Sequence, residues 1–188
     1  MGNIILFAPQ RYSDNRGWFS EVYNARRENG AGIAETFVQD NKSYSASAGT
    51  IRGIHFQSPP HAQAKLVHCS RGSLIDYVID LRNESPTYGK YVSAELSHSN
   101  GHQLFIPAGF GHAFITLEEE TEISYKVSDY YSPLFDCGIR WDCPVIAIDW
   151  PHKASVVMSD KDASLPSLAN FSSPFEFDGR PMELVVIS

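Results

Sequence analysis

Short alternating or apolar stretches recur along most of the chain and are separated by turn residues. Many short strands at regular spacing are typical of an all-β sandwich or barrel. The predicted strands are Thr50–Gln57, Lys65–Cys69, Ser73–Leu81, Tyr91–Leu96, Gln103–Ile106, His112–Thr116 and Thr121–Ser128. Asn100-Gly101 predicts a hairpin turn, because both residues tolerate positive φ. The pattern predicts a jelly roll whose two sheets leave a barrel mouth for a ligand.

The two ends of the chain carry a weaker pattern. Asn3–Phe7 and Thr36–Gln39 are predicted as strands, and Glu21–Gly30 as a helical turn or two that ends at Gly30. The Ser- and Pro-rich tail after Asp160 is expected to form a short helix or loop that wraps the barrel. We predict one domain, with an N-terminal arm over about 1–35, a barrel over about 36–150 and a C-terminal wrap over 151–188.

Composition and charge narrow the classes of partner. The chain has 188 residues, enough to bury the core of one domain, and 43% of them are hydrophobic. The formal net charge of -7 argues against nucleic acid or an anionic membrane surface. Basic residues around a pocket would oppose that overall sign and would suit a phosphorylated ligand. No apolar run approaches the length of a membrane span, so we expect a cytoplasmic protein.

The cysteines carry no recognisable pattern. There are three, Cys69, Cys137 and Cys143, without a CxxC spacing. An odd count without that spacing indicates neither a disulfide framework nor a zinc site. We expect ordinary buried or half-buried thiols.

The segment Ile51–Gln57, followed by Lys65, places a histidine beside cations on neighbouring predicted strands. Proton abstraction next to a carbonyl needs such a set, because one group takes the proton and another holds the negative charge that forms. Arg52 and His55 lie three residues apart, so a regular strand would direct them to opposite faces. A bulge at Gly53 would bring both into one cavity.

A metal site is the competing interpretation of these histidines. Jelly-roll enzymes often bind a metal through an H-x-H pair, a carboxylate and a later histidine. Here His55 is followed by Phe56 and Gln57, and neither His61 nor His68 has a regular ligand spacing. We therefore expect no metal and no other cofactor, and a metal-dependent enzyme is the weaker alternative.

Further motifs follow in order from about Phe7 to Leu165. They are Asp14–Glu21, Phe37–Ser43, Arg52–Gln57, Lys65–Val67, Asp80–Arg82, Ser85–Gly89, Ile106–Phe110, Tyr125-Lys126, Tyr131–Pro133, Ile148–Pro151 and Ser159–Asp162. Any one of them is unspecific, whereas the ordered set resembles the dTDP-4-dehydrorhamnose 3,5-epimerases. That family consists of metal-free isomerases with the cupin fold, a double-stranded β-helix. The resemblance therefore implies an all-β cupin fold with short peripheral helices.

The resemblance also implies catalytic roles. His55 would be the base that removes the C3 and C5 protons of a dTDP-linked 4-keto-6-deoxy sugar. Asp162 would orient His55 and support its protonated form, because a carboxylate behind an imidazole accepts the other N–H. Lys65 would stabilise the enolate oxygen at C4. Tyr125 would return a proton to the opposite face, which suits a phenol that is a neutral donor at pH 7.

The substrate-binding residues follow from the same resemblance. Arg16 and Arg52 would hold the pyrophosphate, since guanidinium groups match phosphate oxygens. The remaining binding positions are Phe19, Glu21, Gln39, Asp40, Asn41, His112, Tyr131, Asp136 and Lys161. In the family the arm around Arg16 reaches into the partner subunit's site, which implies a homodimer. Ala113, Asp136 and Cys143 depart from the usual Gly, Glu and Asp, which leaves substrate detail open.

Besides a metal-dependent enzyme, two alternative functions remain open at this point. A relative that inverts only C3 or only C5 would have the same catalytic residues. A cupin that binds a sugar nucleotide without turning it over would have no need of a base and an opposed acid, so the presence of His55, Tyr125, Lys65 and Asp162 argues against it. The sequence leaves the nucleotide base and the number of inverted carbons undecided.

Overall fold

Strands make up most of the regular structure. The computed structural model describes residues 3–151 and 156–188. Its strands are β1 (Ile4–Phe7), β2 (Tyr12–Asp14), β3 (Gly17–Phe19), β4 (Gln39–Ser45), β5 (Ile51–Gln57), β6 (Lys65–Arg71), β7 (Ser73–Asp80), β8 (Arg82–Asn83), β9 (Tyr91–Ser97), β10 (Gln103–Ile106), β11 (Phe110–Thr116), β12 (Thr121–Val127), β13 (Asp136–Gly138), β14 (Phe175–Glu176) and β15 (Leu184–Ile187). Its helices are α1 (Ala25–Gly30), α2 (Asp160–Ala163) and a 3₁₀ turn at Leu168–Asn170. The predicted all-β fold with short peripheral helices is confirmed.

Two sheets face each other. One has six strands in the order β15-β1-β10-β6-β12-β4, and the other has five in the order β13-β5-β11-β7-β9. Side chains from both sheets, among them Val67 of β6, Val78 of β7 and Phe114 of β11, form a buried cluster between them. Burial of this apolar surface drives the packing of the sheets, as in other double-sheet folds.

The outer face of each sheet is covered by irregular segments. The five-stranded sheet is covered by the stretch that contains Ile146, Ile148 and Trp150, together with Phe175 of the tail. The six-stranded sheet is covered by Ile33 and neighbouring residues that follow α1. Strands β5, β7 and β11 are therefore buried on both faces, which explains why they read as nearly continuous apolar runs.

Both ends of the chain contribute strands to the six-stranded sheet. Strand β15 pairs with β1 in parallel, from Ile4 opposite Leu184 to Phe7 opposite Ile187. The division into arm, barrel and wrap stays a prediction, and residues 1–2 of the arm and 152–155 of the wrap lie outside the described residues. No helix in the described ranges is long and apolar enough to cross a membrane.

The hairpin predicted at Asn100-Gly101 is not formed, although the turn is. Gly101 has a positive φ of 66°, so Asn100-Gly101 does form a turn. However, the strands on either side of it, β9 and β10, belong to different sheets and do not form a hairpin. The turn instead carries the chain from one layer to the other, a connection that local turn chemistry does not distinguish from a hairpin.

One strand begins later in the chain than predicted. Thr36–Gln39 was expected to be a strand, whereas β4 begins at Gln39 and continues to Ser45. The sequence of β4, QDNKSYS, is almost entirely polar, so it lacks the apolar alternation that marks a strand. The physical reason is that its inward-facing side chains Gln39, Asn41 and Ser43 line a polar cavity rather than the core.

Candidate active site

A cavity of about 300 Å³ opens between the two sheets at one end of the barrel. The five-stranded sheet contributes Arg52, His55, Gln57, His112 and Phe114 to its lining, and the six-stranded sheet contributes Gln39, Asn41, Ser43, Lys65 and Tyr125. Its rim is formed by Gln63, Tyr131, Asp136 and Lys161. Polar and ionisable groups thus converge where a core would otherwise be expected, which marks a binding or catalytic site.

The predicted bulge in β5 is present. His112 of β11 pairs with His55, and Phe114 pairs with Arg52, so three steps along β5 oppose two steps along β11. Gly53 has a φ of +121°, and a Cβ there would lie 2.6 Å from both the Cβ of Ala113 and the carbonyl oxygen of His112. Only glycine fits this close approach, and the extra residue brings Arg52 and His55 into the same cavity.

His55 is paired with a buried carboxylate behind it. Its Nε2 lies 2.7 Å from Oδ1 of Asp162, whose side chain is 5% exposed. The other oxygen of Asp162 accepts the Gly53 N–H at 3.2 Å, and Ser159 caps α2 by accepting the Asp162 N–H. Burial acts to raise the pKa of Asp162. The hydrogen bond and charge of His55 outweigh burial, with help from the Gly53 N–H and the Ser159 hydroxyl, so the pKa of Asp162 lies below its usual value. An ionised Asp162 leaves Nδ1 of His55 as the nitrogen available to accept a proton.

Lys65 and Tyr125 line the facing wall, on adjacent strands of the six-stranded sheet. Lys65 is buried, and its ammonium donates a long hydrogen bond of 3.4 Å to the His55 carbonyl oxygen rather than to a carboxylate. Burial lowers the pKa of Lys65 to about 8, against the opposing charges of Asp76 and Asp136. Burial also raises the pKa of the Tyr125 phenol, which stays protonated at neutral pH. This wall therefore offers a cation and a neutral proton donor.

A second histidine–carboxylate pair lies beside the first. Nε2 of His112 is 2.8 Å from Oδ2 of Asp76, which is fully buried. Burial lowers the pKa of His112, although Asp76 acts in the opposite direction. His112 is therefore neutral at physiological pH. Lys65 stays charged although burial lowers its pKa as well, because a lysine starts from a much higher ordinary pKa than a histidine.

The rim carries a cluster of three polar side chains. Oδ2 of Asp136 accepts the Tyr131 hydroxyl at 2.9 Å and the Lys161 ammonium at 2.5 Å. The hydrogen bond from Lys161 to Asp136 raises the pKa of Lys161. Lys161, Arg52 and Lys65 together place three cations around the cavity of a chain whose net charge is negative. Such a local positive patch is expected for an anionic ligand.

Some predicted site residues lie outside the cavity of their own chain. Arg16 and Phe19 belong to the exposed β2–β3 hairpin, where Arg16 pairs with Asp14 and Phe19 is 68% exposed. Glu21 follows the hairpin and hydrogen-bonds Asn24. None of the three lines the cavity of its own chain.

Asp40 is not among the cavity-lining residues. It alternates with Gln39 and Asn41 along β4 and therefore points to the opposite face, where it binds Lys126 at 2.8 Å. Its two neighbours do line the cavity. The period of two along β4 separates Asp40 from these neighbours, and its assignment to substrate binding stays a prediction.

The sequence interpretation omitted four cavity residues, Ser43, Gln57, Gln63 and Phe114. Ser43 follows Gln39 and Asn41 at a period of two, and Phe114 follows His112 in the same way. The predicted strand His112–Thr116 already contained Phe114, so the period of two would have identified it, whereas Ser43 lay outside every predicted strand. Within the described residues no group of three or more His, Cys, Asp or Glu is arranged to hold a metal ion, and the absence of a metal stays a prediction.

Known proteins match this chain over most of its length. The family model for dTDP-4-dehydrorhamnose 3,5-epimerase matches residues 1–170. A protein of that name from Sinorhizobium fredii is 50% identical over 179 residues, 94% of this chain and 91% of the relative.

Solved structures of dTDP-sugar 3,5-epimerases share the fold. The enzyme from Bacillus anthracis, with TDP and PPi bound, is 46% identical at a TM-score of 0.83, covering 85% of this chain and 91% of its own. The dTDP-6-deoxy-D-glucose-3,5-epimerase from Legionella pneumophila, in complex with dTDP-4-keto-L-rhamnose, is 41% identical at a TM-score of 0.84, covering 88% and 87%. The predicted cupin jelly roll is confirmed by this likeness.

We expect Gly53→Ala to lower the free energy of unfolding by roughly 2–4 kcal/mol, because the new methyl group meets β11 and the backbone has a positive φ. The cavity would also lose the placement of Arg52 and His55. Thermal unfolding followed by circular dichroism measures the change. Gly30→Ala is the control, since nothing lies within 4 Å of a Cβ there. Equal stability of the two variants would contradict the role of the bulge.

Proposed function

The chain belongs to the dTDP-4-dehydrorhamnose 3,5-epimerase family, and we propose that it inverts C3 and C5 of dTDP-4-dehydro-6-deoxy-D-glucose to give dTDP-4-dehydro-L-rhamnose. The observation that carries the proposal is the placement of His55 and Tyr125 on opposite sheets, across one cavity. Inversion by proton exchange needs a base on one face of the sugar ring and an acid on the other.

His55 is the proposed base. Its Nδ1 takes the proton from the carbon next to the C4 ketone, and the electron pair of the broken C–H bond moves into the enolate. Asp162 stabilises the imidazolium that forms through its 2.7 Å hydrogen bond to Nε2. Tyr125 then gives its phenolic proton to the opposite face of the same carbon. Exchange with water returns His55 and Tyr125 to their starting states, so no proton is consumed.

Lys65 is the proposed stabiliser of the enolate oxygen. It lies on the strand next to Tyr125, and its long contact with a carbonyl leaves the ammonium available to an oxygen in the cavity. A preorganised cation in a site with little water stabilises developing negative charge by several kcal/mol. The same burial lowers the pKa of Lys65 to about 8, which still leaves it charged at neutral pH.

The nucleotide diphosphate would bind toward the rim. Arg52 and Lys161 supply positive charge there, and the exposed ring of Tyr131 offers a surface for the thymine base. Gln39, Asn41 and the neutral His112 line the interior, where the sugar would lie. We further propose a cofactor-free single domain over residues 1–188. A cytoplasmic location stays a prediction.

Incubation with dTDP-4-dehydro-6-deoxyglucose in deuterium oxide tests the reaction. We expect deuterium at both C3 and C5 by NMR and mass spectrometry, with the exchange abolished in His55→Ala and slowed about 10²-fold or more in Asp162→Asn. His102→Ala serves as the histidine control, since it lies outside the cavity. Exchange at one carbon would indicate a single-centre epimerase. No exchange in folded protein that binds the nucleotide sugar would leave a binding protein.

The pH dependence tests Lys65. Because its pKa is lowered to about 8, the ammonium is charged below that pH and is lost as the pH rises through it. We expect kcat/KM to fall above about pH 8, while Tyr125, with its raised pKa, stays protonated. Lys65→Met should lower kcat about 10²–10³-fold and remove this limb. An unchanged limb in Lys65→Met would assign it to another group.

We propose that the β2–β3 hairpin completes the cavity of a partner chain in a homodimer. An isolated two-stranded hairpin has little stability of its own. This one exposes the aromatic residues Tyr12, Trp18 and Phe19. Its Arg16 side chain is 85% exposed and does not line the cavity of its own chain, although the family resemblance assigns it to the pyrophosphate.

Subunit complementation distinguishes a hairpin that acts in the partner from one that acts in its own chain. Arg16→Ala should raise KM, and His55→Ala should be inactive. Co-expressed with separate tags and purified as a mixed dimer, the two variants should recover one site with both groups intact. Arg16→Ala paired with itself is the control. No gain of activity in the mixed dimer, or a monomeric mass by light scattering, would contradict the proposal.

A further inference from the structure

Gln57 holds the segment that carries Tyr131. It lies at the end of β5, is 4% exposed and lines the cavity. Its Nε2 donates to the carbonyl oxygens of His61 at 2.8 Å and Tyr130 at 3.2 Å. Its Oε1 accepts the Ser132 N–H at 2.6 Å. One buried side chain therefore binds the backbone on both sides of Tyr131 and ties it to the loop after β5.

Other contacts reinforce this connection. Oε1 of Gln39 accepts the Tyr131 N–H at 3.1 Å, so the backbone of residues 130–132 is bound at three successive positions. At the start of the segment, Asp129 accepts from His61 at 3.0 Å and from the Gln63 amide at 2.7 Å. A loop would ordinarily be mobile, whereas this one is fixed to the barrel by side chains that the sheets position.

Gln57 has no hydrogen-bonding capacity left to act as a sugar ligand through its amide donors. A primary amide has two N–H donors, and both are used by the His61 and Tyr130 carbonyls. The geometry points to a positioning residue: we propose that Gln57 places the Tyr131 ring to receive the nucleoside of the substrate. This inference rests on the proposed function, since it concerns binding of the nucleotide end of that substrate.

The proposal separates binding from chemistry. Tyr131 is at the rim, with its hydroxyl on Asp136, whereas His55, Lys65 and Tyr125 lie on the strands behind it. Loss of Gln57 would loosen the rim and leave the base, cation and acid in place. The expected kinetic signature is a higher KM with little change in kcat, because the lost interaction is the same in the ground state and the transition state.

Gln57→Met tests this, because it keeps the length of the side chain and removes the three hydrogen bonds. We expect the Kd for dTDP, measured by calorimetry, and the KM to rise about 10-fold or more, with kcat within about 3-fold of the unsubstituted protein. Gln57→Glu provides a second variant, which keeps the acceptor for Ser132 and loses both donors. Thr87→Val is the control for loss of a structural hydrogen bond away from the cavity.

A double-mutant cycle with Tyr131→Ala shows whether Gln57 acts through Tyr131. If it does, Gln57→Met should add little to the Kd of a protein that already lacks the ring. Additive losses, an unchanged Kd, or a fall in kcat equal to that in kcat/KM would overturn the inference. Its failure is distinct from failure of the proposed function, because the unsubstituted protein would still exchange deuterium at C3 and C5.

Discussion

The extra residue at Gly53 is the constraint on which the site depends. It lets Arg52 and His55 face the same cavity, and it directs the Gly53 N–H at Asp162, the carboxylate that also binds His55. The orientation of His55, the proposed base, and the placement of its carboxylate are therefore set by one irregularity in β5. A regular strand would bury one of the two side chains on the wrong face and leave Asp162 without its backbone donor.

The two-sheet architecture places a second wall of side chains opposite His55, which the bulge alone does not provide. Because β5 and β12 belong to different sheets, His55 and Tyr125 approach a ligand from opposite sides. Burial then sets the charge states: it lowers the pKa values of Lys65 and His112 and raises that of Tyr125. The same desolvation leaves a cation, a neutral imidazole and a neutral phenol in one cavity, because each group starts from a different ordinary pKa and meets different neighbours.

Much of the fold and of the cavity lining was predictable from the sequence, for physical reasons that differ between elements. The strands of the buried sheets lie within two residues of their predicted bounds, because their apolar character records burial on both faces. Strand β4 was misplaced because its inward side chains meet a polar cavity, and Asp40 was grouped with Gln39 although their side chains leave opposite faces. The pairing of β15 with β1 depends on contacts between the two ends of the chain, which no local pattern records.

The location of the cations that are proposed to bind phosphate bears on the proposed homodimer. Within one chain, Arg52 and Lys161 stand at the rim, but Lys161 is held by Asp136, a carboxylate that would also face an incoming anion. In the proposed binding mode, a substrate diphosphate would have to compete with Asp136 for Lys161, or be held by further positive charge. Arg16 lies on the exposed β2–β3 hairpin, and among the described residues of its own chain its only ion-pair partner is Asp14. An Arg16 from a second chain would supply that charge. Homodimerisation would then serve electrostatics as much as stability, since it would bring a second guanidinium to the rim. Like Lys161, that group would have to exchange its carboxylate, here Asp14, for the phosphate.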